Sequence, residues 1–314
     1  MLEMQASLAV ARRRGERNAL PLLQRSGARV ILGAQPGAPV APIAASAGAL
    51  FGPRGACLVA PEGPLLVCDT GHHRLLVWRT VPRMDGAPAD YVIGQPDFAA
   101  DRRGMLHVPT GVAFADGVLA VADAWNHRVL LWRGIPEKWN TPADLVLADG
   151  LFWPYGVALH QGRLYVADTG NRRVLIWDCV PHAARAPDRQ MEQEMGWPHA
   201  FAFIGERVFV ADAGAHRVLG PIGAIDDLSM PYGVTAAGER LIVADTANSR
   251  LLGFDICGTQ RYLAGQESLS DKGDNRWGFA TRDSLCWPYG VSACGDTLVI
   301  ADSGNNRVLL WDLA

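Results

Sequence analysis

The sequence has no run approaching the roughly 18 apolar residues that a membrane-spanning helix requires, so no such span is expected. It has no excess of one charge. Its 29 Lys and Arg against 32 Asp and Glu leave a net charge of -3, which argues against a global electrostatic footprint for nucleic acid. It also has no C-x-x-C pair. Cys57, Cys68, Cys179, Cys257, Cys286 and Cys294 are scattered, a spacing that suits neither a zinc site nor a redox motif. The first residues, "MLEMQASLAVARRRGERNAL", do not read as a secretory signal, because the arginines follow a short apolar stretch instead of preceding it. Reduced thiols and a cytoplasmic location are the expectation.

What the chain does have is one phrase written six times. "LYVADTGNRRVLIWD" at 164–178 returns in variant form around Asp69, Asp123, Asp168, Asp212, Asp245 and Asp302. An arginine follows each aspartate by five residues: Arg74, Arg128, Arg173, Arg217, Arg250 and Arg307. A proline precedes by fourteen in five units (Pro109, Pro154, Pro198, Pro231, Pro288) and by sixteen at Pro53, which places an insertion at "APEGP". Self-similarity at about 45 residues is the mark of a repeat architecture.

Each unit parses as four short strands. In the third, "GVALH", "RLYVAD" and "RRVLIW" are the first three, with a tight turn "TGN" between the second and third. The strands are nearly continuous in apolar residues, so both faces are buried. Sheets of that kind, repeated, are the blades of a propeller. The fold class is therefore all-β: a six-bladed β-propeller of four-stranded antiparallel blades. The last unit ends three strands into its blade, while "ARVILGAQPG" at 28–37 is similar to the outer-strand segment "DYVIGQPDF". Residues 29–35 are expected to complete the last blade and remove an open edge. Residues 1–28, including Arg12, Arg13, Arg14 and Arg17, are expected to form an extension, partly helical or disordered; residues 29–314 form the propeller.

The phrase "DTGNRRVLIW" after "PYGVALHQGRLYVAD" resembles the NHL repeat family, over about residues 29–314. The fourth unit departs most, with "WPHAF" in place of "PYGV" and no closing aromatic.

A feature present six times around a ring is a structural device, so function is sought where the repeat varies. The aspartate is expected to accept backbone N–H bonds in its own turn, and the arginine to pair with a carboxylate across a blade seam. Gly71, Gly170, Gly214 and Gly304 are expected at a left-handed turn position, His72, His73, His127 and His216 are read as turn and seam residues, and Trp78, Trp132, Trp177, Phe254 and Trp311 as plugs between blades. The residues after the entry prolines are expected at the channel mouth: Arg54, Thr110, Tyr155, His199, Tyr232 and Tyr289. They suit a ligand or peptide end, and equally a polar-tipped aromatic rim. Trp125 occupies a slot that holds Gly or Ala elsewhere, and Trp277 lies in the long loop 265–288; both are candidate partner contacts. His107, His199 and Cys286 are the only candidate set for a zinc or calcium ion. Arg102, Arg103, Arg276 and Arg282 could form a local basic patch, but nucleic acid is not the expected partner.

The reading reached from sequence is a non-catalytic platform presenting its channel-mouth face to a protein or peptide. No catalytic set or cofactor is assigned. The alternative is a metal-assisted lyase or hydrolase acting in the channel; some six-bladed relatives, the peptidylglycine amidating lyase among them, hold metal in this region.

Overall fold

A computed structural model describes residues 19–37, 44–102, 104–221, 223–255 and 258–314. The basic stretch Arg12–Arg17, together with Arg103 and Cys257, lies outside the described residues. Six separate sheets follow one another along the chain, and within each the strands run in order from an inner to an outer one. Blade 3 shows the pattern: Pro154–His160 innermost, then Arg163–Asp168, Arg173–Trp177 and the outer Arg189–Gln190. In blades 1 and 3 the second and third strands are buried on both sides almost throughout, as their unbroken apolar composition requires. The fourth blade does have its outer strand, Gly223–Ile225, paired antiparallel with Arg217–Gly220. The first blade carries its insertion between Leu58 and Leu65, where the other blades make two-residue turns.

Blade cores are continuous across the seams. Trp78, Trp132, Trp177, Phe254 and Trp311 are all buried in clusters that also hold residues of the neighbouring blades. Four of them also donate an indole N–H to a carbonyl: Trp78 to Ala87, Trp132 to Thr141, Trp177 to Arg185 and Trp311 to Gln24. In three blades the acceptor lies in the blade's own third-to-fourth connection. In the last blade the N-terminal segment supplies it.

That segment closes the ring. Val30–Gly33 pairs antiparallel with the third strand of blade 6, Val30 opposite Leu310 and Gly33 opposite Arg307. Leu20–Pro21 adds a parallel fifth strand to blade 5, beside Tyr262 and Leu263. Residues 19–28, assigned from sequence to the extension, thus pack on the propeller, and Leu22 and Leu23 enter the core between blades 5 and 6. The signal missed was "ALPLL", too short to show a period. Two further groups hold the closing strand. Asp85 accepts the Ile31 N–H at 2.9 Å, and Arg282 reaches the carbonyls of Ala28 and Arg29. Asp85 and Arg282 also pair with each other, which lowers the carboxyl of Asp85 below its ordinary range.

Leu22, Val30, Ile31 and Leu32 are essentially inaccessible, and each stabilises the fold by about 1.5–3 kcal/mol. Their sum is comparable with the whole stability of a typical domain. Deletion of residues 1–36 is therefore expected to yield an insoluble product or one whose melting temperature falls by at least ~10 °C, read by circular dichroism. An equally stable truncated protein would show that the closing strand is dispensable.

Candidate functional site

The site is built on the repeat's own staple. In blade 3 one oxygen of Asp168 accepts the Phe152 N–H at 2.8 Å, and the other accepts Asn171 at 2.8 Å and Arg173 Nε at 2.7 Å. Arg173 then donates to the carbonyl of Gly150. Aspartate and arginine thus bind the loop that enters their own blade. This corrects both sequence assignments: the carboxylate takes its backbone N–H from the entry loop instead of from its own turn, which it meets through the Asn171 side chain, and the pair lies within one blade instead of across a seam. The same pairing recurs at all six aspartates.

Seams are bridged by other groups. Thr70, Thr169 and Thr246 donate to the carbonyl of the next blade's entry proline, and Ser303 does so to Pro53, closing the circle. The left-handed turn position is two residues beyond the one expected. It holds His73, His127, Arg172, His216, Ser249 and Asn306. Five of these accept an N–H from the residue before the next entry proline: His73 from Val108, His127 from Trp153, His216 from Met230, Ser249 from Trp287 and Asn306 from Gly52. Those donor residues are themselves left-handed, with φ of 48–54°, a costly conformation for a bulky residue. Arg172 has no acceptor to offer, and Trp197 opposite it stays out of that region and donates to Asp212 instead.

Gly71, Gly170, Gly214 and Gly304 serve a different purpose from the one expected. A Cβ on Gly71 or Gly170 would stand 2.3–2.4 Å from the ring of Phe51 or Phe152, and one on Gly304 would meet Cys286 Sγ at 2.4 Å. The slot must be small because the entry-loop side chain fills it. In blade 2 the arrangement is inverted: Trp125 takes the slot and packs edge-on against His107, with ring centroids 5.2 Å apart. Trp125 remains 47% exposed.

The residue after each entry proline is a bulge. The register between the first two strands shifts there in blades 2 to 6. A bulge frees one residue from the ladder and re-aims its side chain. The next residue is glycine in five blades because a Cβ would strike the neighbouring backbone: at Gly156 it would lie 1.9 Å from the His199 carbonyl, and at Gly290, 2.0 Å from that of Arg54. The six expected mouth residues do converge. Arg54 lies 4.5 Å over the ring of Tyr289, which stacks on Tyr232 at 4.1 Å and 5°. Tyr232 meets His199 at 4.5 Å, His199 meets Tyr155 at 4.9 Å, and Tyr155 faces Arg54 again at 5.8 Å. Thr110 completes the ring by donating to the Tyr155 carbonyl at 2.7 Å. These side chains form a diaphragm across a channel cavity of about 230 Å³ lined by the inner strands.

His199 is buried, and its Nδ1 donates to the Trp197 carbonyl at 2.9 Å. Burial holds its pKa down at about 4, with the charge of Arg54 contributing. Burial likewise raises the hydroxyls of Tyr289 and Tyr232. The diaphragm is thus neutral at pH 7 apart from Arg54.

His107, His199 and Cys286 do not assemble into a metal site. His107 lies against His73 and Trp125, His199 sits among tyrosines, and the Cys286 thiol faces Gly304. Among the described residues no group of three His, Cys, Asp or Glu is placed to share an ion. Burial pushes the Cys286 thiol up to about 12, helped by Asp274 and Asp302. Two of the arginines expected in a basic patch are paired with carboxylates, Arg276 with Asp283 and Arg282 with Asp85.

Trp277 is 84% exposed and Phe279 87%. Three successive left-handed residues, Asn275, Arg276 and Trp277, project them. This turn is fixed to the blade 6 turn by Asn275 and Asn305, and to Asp283 by Arg276.

Sequence reasoning missed the residues before the entry prolines. Trp153, Trp197 and Trp287 are each between 40% and 46% exposed. With Phe51, Phe152 and Trp125 they form an aromatic collar around the diaphragm. The signal was present in three units as "WPYG", "WPHA" and "WPYG", each tryptophan one residue before an entry proline.

No protein-family profile matches the sequence, and no curated protein matches it. Solved structures do. A chain of the nidogen/laminin complex is 17% identical with a TM-score of 0.54, covering 76% of this chain and 84% of its own. Hydrazine synthase of Kuenenia stuttgartiensis is 14% identical with a TM-score of 0.56, covering 84% and 96% respectively. Likeness at this identity shows the six-bladed fold and nothing of the activity.

A histidine kept neutral in the folded state and free to protonate in the unfolded one makes stability fall with pH. The contribution of His199 is complete above its unfolded pKa near 6.5 and is lost as pH drops toward its folded value of about 4. The loss amounts to on the order of 2–3 kcal/mol. Urea unfolding at pH 7 and pH 4.5 is expected to show a smaller pH difference for His199→Gln than for the parent. An unchanged difference would mean that His199 is not the group responsible.

Proposed function

We propose that this chain, read as an NHL-type propeller, is a non-catalytic platform whose mouth face receives a protein or peptide. The observation that carries the reading is the collar. Five half-exposed aromatics from entry-loop positions, with Trp125 from the blade 2 turn, surround one channel mouth, and two of them, Trp153 and Trp287, sit on left-handed backbone that costs about 1–3 kcal/mol per residue. Strain of that kind, used to hold indoles outward, suits recognition. Indoles on a rigid backbone lose little entropy on binding and serve as anchors. Trp277, two residues beyond the Asn275 that is tied to the blade 6 turn at Asn305, extends the surface in this reading. One of the solved structures similar to this chain belongs to an assembly of two proteins, the nidogen/laminin complex, which fits the same use of the fold. The alternative, a metal-assisted lyase or hydrolase, needs a ligand set that His107, His199 and Cys286 do not provide.

The test is selection of binders from a displayed random-peptide library on the immobilised chain. Peptides enriched on the parent are expected to bind Trp153→Ala, Trp197→Ala and Trp287→Ala variants about 10–30-fold more weakly. Melting temperatures should stay within about 3 °C, because these side chains are half-exposed and lie outside the blade cores. Trp125→Ala is expected to weaken capture in the same way while leaving the fold intact. Peptides that bind all variants equally would place recognition elsewhere, and failure to enrich any would remove the reading.

A further inference from the structure

Among the described residues, Arg54 lacks the carboxylate partner that the repeat arginines possess. The six repeat arginines each meet an aspartate. Arg54 lies against the rings of Tyr289 and Tyr155, and no carboxylate lines the channel cavity that it borders. It is the one formally charged side chain among the described lining residues, since His199 is neutral at pH 7. Stacking on an aromatic face stabilises a cation and leaves the edge of the guanidinium with its N–H donors in the plane. Those donors form a fork whose geometry matches a carboxylate. The surroundings add neutral polar groups: the phenols of Tyr155, Tyr232 and Tyr289, and the Ser292 hydroxyl, which is buried and without a hydrogen-bond partner. An uncompensated positive charge in a partly dehydrated channel attracts an anion more strongly than one in open water.

Size limits what can enter. Pockets for whole small-molecule ligands occupy about 300–1,000 Å³, and this cavity is about 230 Å³. It admits the end of a chain or one side chain. Resting on the platform reading above, we infer that the channel mouth is a carboxylate socket: Arg54, oriented by Tyr289, receives the terminal or side-chain carboxylate of a docked polypeptide. The aromatic collar then grips the flanking residues, and the socket fixes the register. The buried neutral His199 keeps a second positive charge out of the socket at pH 7, leaving Arg54 as its sole cation.

The experiment titrates the full chain with three probes, following the Arg54 Nε–H resonance by NMR. N-acetyl-glycyl-glycine carries a terminal carboxylate, N-acetyl-aspartyl amide a side-chain carboxylate, and N-acetyl-glycyl-glycinamide none. One or both carboxylates are expected to saturate at concentrations on the order of millimolar, and the neutral amide to leave the resonance unmoved. Which carboxylate binds tells a chain terminus from an acidic side chain. Arg54→Gln should weaken the response at least tenfold, read on neighbouring backbone amides. In the unaltered protein, phenylglyoxal modification of Arg54, mapped by mass spectrometry, should be slowed by the bound carboxylate and not by the amide; this arm needs no variant to fold. Equal response to all three probes, or carboxylate binding unchanged in Arg54→Gln, would overturn the socket. The probes are too small to need the collar, so they can bind even where library peptides ignore the tryptophans, and the two readings fail separately.

Discussion

The geometry of this propeller depends on a buried carboxylate used six times. Each aspartate divides its two oxygens between a loop and an arginine, and in blades 1 to 4 and 6 the arginine returns to the same loop through a carbonyl. A buried ion pair is not a strong source of net stability, since desolvation consumes most of its Coulomb energy. Its value lies in what it fixes. The entry loop is held to the second strand, so the proline that starts the inner strand is placed, and the bulge residue after it must face the axis. Everything at the channel mouth follows from that placement.

The fold was legible because its cause is repeated. Six aspartates at a constant distance from six arginines, with apolar runs between them, can be read without an alignment, and so could the strand "VILG" that completes blade 6. The mouth residues were legible for the same reason: a fixed offset from the proline fixes their direction. What sequence could not supply was the identity of contacts that depend on backbone conformation. The left-handed residue in each turn is not glycine but His73, Arg172 or Ser249, so composition pointed two residues too early. The glycine at the expected position answers to a neighbour's bulk, which only packing reveals. Residues 20–23 escaped notice because two residues of parallel pairing leave no pattern.

Trp125 illustrates how a departure from a repeat can be both structural and available. It fills the slot that glycine leaves for an entry-loop ring elsewhere, and its neighbour His107 has given up that place to it. Half the indole still faces solvent. The exposed aromatics of the collar arise by the same route: a loop fastened by its backbone can turn its side chains outward. Rigidity at the staple and exposure at the rim are two results of one arrangement.

The closing strand has a consequence for biosynthesis. Arg29 and Asp312, which meet across the final blade, are separated by 283 residues. At about 5–20 residues per second of translation, Val30, Ile31 and Leu32 wait on the order of 15–60 s before their mates exist. Earlier blades can form as they emerge, but these three apolar residues must stay unpaired beside them, at risk of capture by another nascent chain. Closure is then the final act of folding, and the interval before it is when a chaperone would matter most.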